Sequence, residues 1–296
     1  MGTSAKLSTK ILKQSATGSL FAHRFVGSSN GPCVALVSGV HGDEWYGPAS
    51  LNKLIKMLKA SDLSGTVIVI PAANPLALAE HSRLDPTCPL DLNRSFVFDK
   101  ATSPSEHNPL AKLIWREIAD ADVILDVHSC GVDDCVDHVR MLKEFDSLAT
   151  SLGVSRALVF EKWPSGLLID QAFRSGKRAL ALEFGTSGSL SLRKGKTLTK
   201  ALMAFLGATK SIPNKEGSRK TPKVAYKHTM APVEASGIFE QKLPPGLRVK
   251  RGDVVGTIRC FQDGESIEIQ APVAGDLLMV RKTGPIGVGN SACTIV

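Results

Sequence analysis

Three apolar runs rich in β-branched residues each lead to a side chain that can bind a metal or accept a proton, and this limits the fold more than any other feature. Residues 33–40 (CVALVSGV) run into His41-Gly42-Asp43-Glu44, residues 123–129 (VILDVHS) reach His128, and residues 179–185 (ALALEFG) reach Glu183. Runs this short, bounded by glycine or a polar residue, read as buried strands. A helical spacing of apolar residues follows Glu44 and covers Tyr46–Leu58, so the first unit is strand, sharp turn, helix. The alternation continues with strands expected at 66–71, 123–128, 157–160 and 178–184, and with helices at 109–119, 143–152 and 196–206. The expectation is an α/β fold, a mixed central sheet covered by helices. Sheets of this kind bind ligands at the carboxyl ends of their strands, where His41, Glu44, His128 and Glu183 would lie.

Beyond residue 224 the texture changes. Short runs such as VVGTIRC, SIEIQAPV and DLLMV are separated by glycine and proline without helical spacing, so residues 224–296 read as a small all-β module. Residues 210–223 (KSIPNKEGSRKTPK) contain two prolines and little that is apolar, and read as a linker that leaves 1–209 as the α/β domain. Residues 72–108 show no clear periodicity; so long a loop within a compact domain is expected to be functional, and it reads as an active-site loop.

With 43% hydrophobic and 22% charged residues, the 296-residue chain can bury a full core and has neither a disordered nor a membrane composition. No apolar run approaches the roughly 20 residues that a bilayer requires, and residues 1–10 lack the apolar core of a secretion signal, so a cytoplasmic location is expected. The net charge of +8 raises the question of nucleic acid. Half of that excess sits in residues 210–223, with five basic side chains against one acidic, and a solvated linker explains it better than a phosphate-tracking face. A mildly positive body does suit a small anionic substrate. No nucleic-acid or membrane partner is expected, and assembly into a homo-oligomer is left open. The six cysteines (Cys33, Cys88, Cys130, Cys135, Cys260 and Cys293) show no C-x-x-C spacing and are expected as free thiols in a reducing compartment. Cys130, two residues after His128, is more simply a bystander than a thiolate ligand.

His41 and Glu44 stand three residues apart where a strand gives way to a helix, so both can converge above the sheet edge. Alone, the pair is as consistent with a solvated turn. His128, at the end of a second strand, changes the weighing: two imidazoles and a carboxylate leave a fourth tetrahedral position open, the pattern of catalytic rather than structural zinc. Asp126 lies two residues earlier on the same side of its strand. It could accept the second N–H of a ligand histidine, or merely cap a turn. Glu183 would be costly to bury unpartnered in an apolar strand, so it should emerge at the strand end and face the metal as a general base, with a structural salt bridge as the alternative. In the loop, Asn93 and Arg94 offer adjacent donors suited to a carboxylate, and Arg83 could face a developing oxyanion.

Taken together and in this order, G-x-H-G-D-E, D-L-N-R, D-x-H-S and L-E-F-G resemble the succinylglutamate desuccinylase and aspartoacylase family, relatives of the zinc carboxypeptidases, over about residues 30–190. The trailing module is similar to the accessory domain of that family, akin to barrel-sandwich hybrids. The resemblance implies a zinc carboxypeptidase-like fold, one Zn2+ per chain, and hydrolysis of the amide bond of a small anionic N-acyl amino acid to a carboxylic acid and an amino acid. It implies His41, Glu44 and His128 as metal ligands and Glu183 as the general base. Asn93 and Arg94 would hold the substrate carboxylate, Arg83 would face the oxyanion, and Arg174 would be a further substrate-binding arginine. The only tyrosines are Tyr46 and Tyr226, so the tyrosine that aspartoacylases bring from their C-terminal module has no clear counterpart, which counts against N-acetylaspartate itself. A metallocarboxypeptidase acting on small peptides is the rival reading, because Asn93 and Arg94 would hold a peptide's C-terminal carboxylate equally well. A carrier role is disfavoured: the stretch Gly264-Glu265-Ser266-Ile267-Glu268 offers no lysine for modification.

Overall fold

The computed structural model describes residues 5–15, 18–59, 62–98, 108–213 and 219–296. The chain begins with strands β1 (Lys6–Gln14), β2 (Ser19–Val26) and β3 (Ser29–Ser38), then helix α1 (Tyr46–Leu58), β4 (Ser64–Ile70), α2 (Pro75–Ala79) and α3 (Pro109–Ile118). It continues through β5 (Val123–His128), β6 (Asp133–Cys135), β7 (His138–Leu142), α4 (Leu148–Ser151), β8 (Arg156–Phe160), α5 (Leu168–Arg174), β9 (Arg178–Glu183) and α6 (Leu192–Ala208). The remainder is extended: β10 (Lys223–Ala225), β11 (Thr229–Pro232), β12 (Gly237–Gln241), β13 (Arg248–Val249), β14 (Val254–Cys260), β15 (Ser266–Gln270), β16 (Gly275–Arg281), β17 (Gly284–Ile286) and β18 (Ser291–Ile295). No helix among the described residues is long and apolar enough to cross a membrane.

Among the described residues, nine strands form one mixed sheet in the order β1-β2-β4-β3-β5-β9-β7-β8-β10. At its centre β3, β5 and β9 run parallel, with Val37 opposite Asp126 and His128 opposite Glu183. This register is what brings the ends of the three apolar runs together. Alternate residues of these strands feed two cores. Val34, Leu36, Leu125 and Val127 meet α1 and α6 through Leu51, Leu54, Leu202 and Phe205. Ala35, Val37 and Ile124 meet α3 and α5 through Leu110, Ile114, Ile118 and Leu168. Helices therefore cover both faces, which is why all six residues of β5 are buried.

The expected helix over 143–152 is reduced to Leu148–Ser151. Lys143 takes a left-handed φ of 68°, which a right-handed helix cannot contain, and the Asp146 carboxylate accepts from the Leu148 amide at 2.9 Å, starting the helix later. The N-terminal strand β1 has no readable period because it is largely exposed along its length.

The C-terminal strands form two sheets, β11-β18-β16-β13 and β15-β14-β12-β17, around Phe239, Val255, Ile258, Leu277, Val280 and Ile295. Two strands lace them to the large sheet. β10 adds to its edge parallel to β8, and β6, which follows the central strand β5, pairs antiparallel with β16, placing Asp133 opposite Arg281 and Cys135 opposite Met279. Asp276 on β16 ties the junction further. Its carboxylate accepts from Lys223 at 2.7 Å, from Arg156 at 3.1 Å and from Arg248 at 3.1 Å, and the Lys223 hydrogen bond holds its pKa below the usual range. Replacing Asp276 with Asn should therefore lower stability by about 1–2 kcal/mol, a value reduced for the exposure of the three cations. Denaturant titrations at low and high salt check this, the difference shrinking in high salt.

Candidate active site

The turn after β3 is built by glycines. Gly39 takes a φ of 65°, and a Cβ added at Gly42 would fall 1.9 Å from the Ala77 carbonyl carbon, so only glycine lets this turn lie against α2. The turn is closed by the Trp45 indole N–H donating to the Gly42 carbonyl at 2.9 Å. It delivers His41 and Glu44 above the ends of β3 and β5, beside His128.

His41, Glu44 and His128 are all at most 4% exposed. The side-chain atoms that they could offer to a metal lie within 4.8 Å of one another. Glu44 occupies the middle: Oε1 is 2.8 Å from His41 Nδ1, Oε2 is 3.0 Å from His128 Nδ1, and Oε2 also accepts from the Ser129 amide at 2.9 Å. The other nitrogen of each imidazole meets a carboxylate. His128 Nε2 is 2.7 Å from Asp126 Oδ2, and His41 Nε2 is 3.3 Å from Asp91 Oδ1. With Nε2–H donated to Asp126 and Asp91, both histidines are left with Nδ1 lone pairs that face the same point.

The electrostatics ask for positive charge at that point. Burial disfavours a charged imidazole, yet Glu44 and Asp91 outweigh it and raise the pKa of His41, while Asp126 and Glu44 raise that of His128 well above its ordinary value. Glu44 itself is driven down: burial pushes it upward, but His128 and His41 prevail. Two buried carboxylates and the partly exposed Asp91 around two imidazoles either draw in protons or hold a cation, and the donor set of two nitrogens and a carboxylate oxygen fits a divalent zinc ion.

A cavity of about 330 Å³ opens over this cluster and is lined by Arg83, Asn93, Arg94, Asp133, Arg140, Phe160, Trp163, Glu183 and Met279 among others. Asn93 lies in a 3₁₀ turn, Leu92–Arg94, started by Asp91, whose side chain accepts from the Asn93 amide at 2.8 Å. Its side-chain oxygen accepts from the Leu168 amide at 2.9 Å, and its side-chain nitrogen lies 3.3 Å from His128 Nε2. Arg94 donates to the Asn93 carbonyl at 2.7 Å, and Arg83 to Asp91 Oδ2 at 3.0 Å. Glu183, the last residue of β9, is 8% exposed and has its Oε1 3.3 Å from a guanidinium nitrogen of Arg140. Burial pushes Asp133 up to about 6, although Arg281, Arg140 and Lys282 pull it down.

Arg174, expected at the substrate, is not brought into this group. It sits at the end of α5, paired with Asp170 at 3.0 Å one helical turn earlier and bonded to Gln171. Helical spacing to Asp170 turns its side chain along the helix surface. The cysteine expectation also needs correcting. Cys130 and Cys135 are in disulfide contact with their Cα atoms 6.1 Å apart, because the chain reverses at Gly131 (φ 58°) and returns through β6, while Cys33, Cys88, Cys260 and Cys293 are free. Cys130 thus turns its sulfur to Cys135 rather than to the histidines.

Residues 30–208 match the profile of the succinylglutamate desuccinylase/aspartoacylase catalytic domain. Over 289 residues the chain is 32% identical to the N-alpha-acetyl-L-2,4-diaminobutyric acid deacetylase of Halomonas elongata, a match spanning 90% of this chain and 82% of that protein. The chain belongs to the succinylglutamate desuccinylase/aspartoacylase family. It is thus an enzyme of a deacylase family. Its fold is that of the product-bound ectoine utilization protein EutE (DoeB) from Ruegeria pomeroyi, with a TM-score of 0.83 at 24% identity over 98% of this chain and 94% of the other. The crystal structure of a succinylglutamate desuccinylase/aspartoacylase from Rhodobacter sphaeroides gives a TM-score of 0.80 at 23% identity, covering 98% and 94%.

Several residues in or beside the cavity escaped the motif reading. Asp91 opens the same D-L-N-R motif as Asn93 and Arg94, and a carboxylate there was readable as a partner for a histidine. Asp133, Arg140 and Met279 carry no local signal, because they reach the cavity only through the pairing of β6 with β16 and of β7 with β9.

His138 adds a titration of its own. It is fully buried, and burial together with Arg140 lowers its pKa to about 3 from an ordinary 6.5. The unfolded chain takes up this proton near pH 6.5 and the native chain only near 3, so the contribution is complete above about pH 6.5 and is lost as pH falls. At roughly 1.4 kcal/mol per pH unit, about 2 kcal/mol should disappear between pH 6.5 and 5. Denaturation midpoints of the chain and of His138→Asn across this range test it: the variant's stability should fall less steeply with acid.

Proposed function

We propose that this chain is a zinc-dependent deacylase that hydrolyses the amide bond of an N-acyl amino acid. The observation that carries the reading is the buried convergence of His41 Nδ1, His128 Nδ1 and the Glu44 carboxylate beneath a cavity that also contains Glu183. A zinc ion held by His41, Glu44 and His128 would supply Lewis acidity, making water a nucleophile at neutral pH and drawing charge from the amide carbonyl. Asp126 and Asp91 keep Nε2–H on the two histidines, so Nδ1 is always the donor. Glu183, across from His128 in the sheet register, takes the proton of the attacking water and returns one to the leaving amine.

Arg83, Asn93 and Arg94 lie in the same loop and line the same cavity. In this reading Asn93 and Arg94 hold the substrate's carboxylate, which orients the amide over Glu183, and Arg83 meets the negative charge that develops on the carbonyl oxygen. The module from 224 onward shapes the mouth, since Met279 on β16 is part of the cavity wall. The relationship to the Halomonas elongata deacetylase supports an N-acetyl amino acid as the first substrate class to try.

Three measurements test this. Amine release from a panel of N-acetyl, N-succinyl and N-formyl amino acids, including N-α-acetyl-L-2,4-diaminobutyrate, and from dipeptides should show chelator-sensitive turnover of an acyl amino acid, with about one zinc per chain. Turnover confined to dipeptides would make the protein a carboxypeptidase instead. Replacing Glu183 with Gln should cut kcat by at least about 10²-fold with metal content unchanged. By contrast, Asp126→Asn should weaken zinc binding by about 10–100-fold, read by competition with a chromogenic chelator.

A further inference from the structure

Arg140 lies outside the motifs that carry the family resemblance, yet its side chain reaches the cavity and is held there from three sides. It sits on β7, antiparallel to β9, with His138 opposite Glu183 and Arg140 opposite Ala181. His138 and Arg140, two residues apart, project to the same face of the sheet as Glu183. Arg140 Nε donates to His138 Nε2 at 3.0 Å, one terminal nitrogen contacts the Met279 sulfur at 3.3 Å, and the other is 3.3 Å from Glu183 Oε1.

The acceptor beneath Arg140 is fixed by its own surroundings. His138 Nδ1 is 2.8 Å from the Val136 carbonyl, so it carries the hydrogen and leaves Nε2 as the acceptor that Arg140 needs. Burial disfavours the charged imidazole, and protonating Nε2 would also set it against the Arg140 charge, so His138 stays neutral. The guanidinium is thereby anchored through Nε before it meets any ligand, and one of its terminal nitrogens faces Glu183 while the other meets the Met279 sulfur.

We infer that Arg140 is a positioning residue for Glu183, holding one carboxylate oxygen through its guanidinium so that the other faces the reacting water, with His138 as the buried acceptor that fixes the guanidinium. The inference rests on the reading of Glu183 as the base. A structural ion pair would show the same contact, but it would not affect turnover. A substrate clamp would affect KM first, whereas misplacing a base affects kcat.

The test uses Arg140→Met, Arg140→Lys, Glu183→Gln and the Arg140→Met/Glu183→Gln double variant, assayed on the N-acetyl amino acid with the highest turnover in the panel above. Zinc content and thermal midpoint establish that each variant is folded and loaded. Arg140→Met should lower kcat about 10–100-fold with KM changed less than about threefold, because a small misplacement of a reacting group costs rates of this order. Arg140→Lys should recover only part of this, since an ammonium cannot engage His138 and Glu183 in one rigid fork. Adding Arg140→Met to Glu183→Gln should cost nothing more, as no base remains to be placed. The inference is overturned if Arg140→Met leaves kcat intact, if it raises KM alone, or if it slows Glu183→Gln by its full factor again. Undiminished kcat in Glu183→Gln would instead overturn the base assignment itself, and the role of Arg140 with it.

Discussion

A carboxylate buried between two imidazoles is the constraint on which the rest of the site depends. Glu44 is 3% exposed, and both of its oxygens face histidine nitrogens. Such a group cannot remain in an apolar interior without compensating charge. The surrounding architecture either supplies that compensation or directs it: a backbone N–H from Ser129, two outer carboxylates that fix the imidazole tautomers, and the ends of three parallel strands that bring the pieces to one point. Gly42 belongs to the same requirement, since a side chain there would push the His41–Glu44 turn off α2 and away from His128.

The proposed ligands and base were legible in the sequence because strand ends write themselves locally. A short run of β-branched residues must become a buried strand, and a polar residue at its end must emerge at the sheet edge; three such runs name His41, His128 and Glu183 before any coordinates. The register that places His128 opposite Glu183 was not legible, because it depends on which strands become neighbours. The same limit hid β1, whose exposed residues have no period, and α4, where Lys143 and Asp146 override a helical spacing. Arg174 shows a further limit: its place in the sequence does not reveal the salt bridge one helical turn back to Asp170, which directs its guanidinium along α5.

The cavity divides along a similar line. Its floor, where bonds would be broken, comes from motif residues on central strands and the turn after β3. Its far wall comes from Asp133, Arg140, Phe160, Trp163 and Met279, which lie on β6, β7, β8, a loop and β16. β6 leads from the end of β5 in the large sheet to its pairing with β16 among the C-terminal strands, and it lies within the turn closed by Cys130 and Cys135. The position of Asp133 in the cavity is therefore set jointly by the end of β5 and by the pairing with β16.

This arrangement bears on how relatives with one floor can differ in substrate. Changing a residue on β3, β5 or β9 disturbs two packed cores and the cluster of His41, Glu44 and His128 at once, because those strands are buried on both faces. Changing a residue on β6, β16 or the loop around Trp163 alters the wall while leaving the convergence of His41, Glu44 and His128 intact. Phe160 and Trp163 stack with ring centroids 4.4 Å apart and give this wall an apolar surface beside the polar groups of Arg140 and Asp133. Discrimination between acyl groups or amino-acid side chains is thus expected from the fit against this mixed wall, where a buried charge left unpaired by the wrong substrate costs far more than a missing methylene.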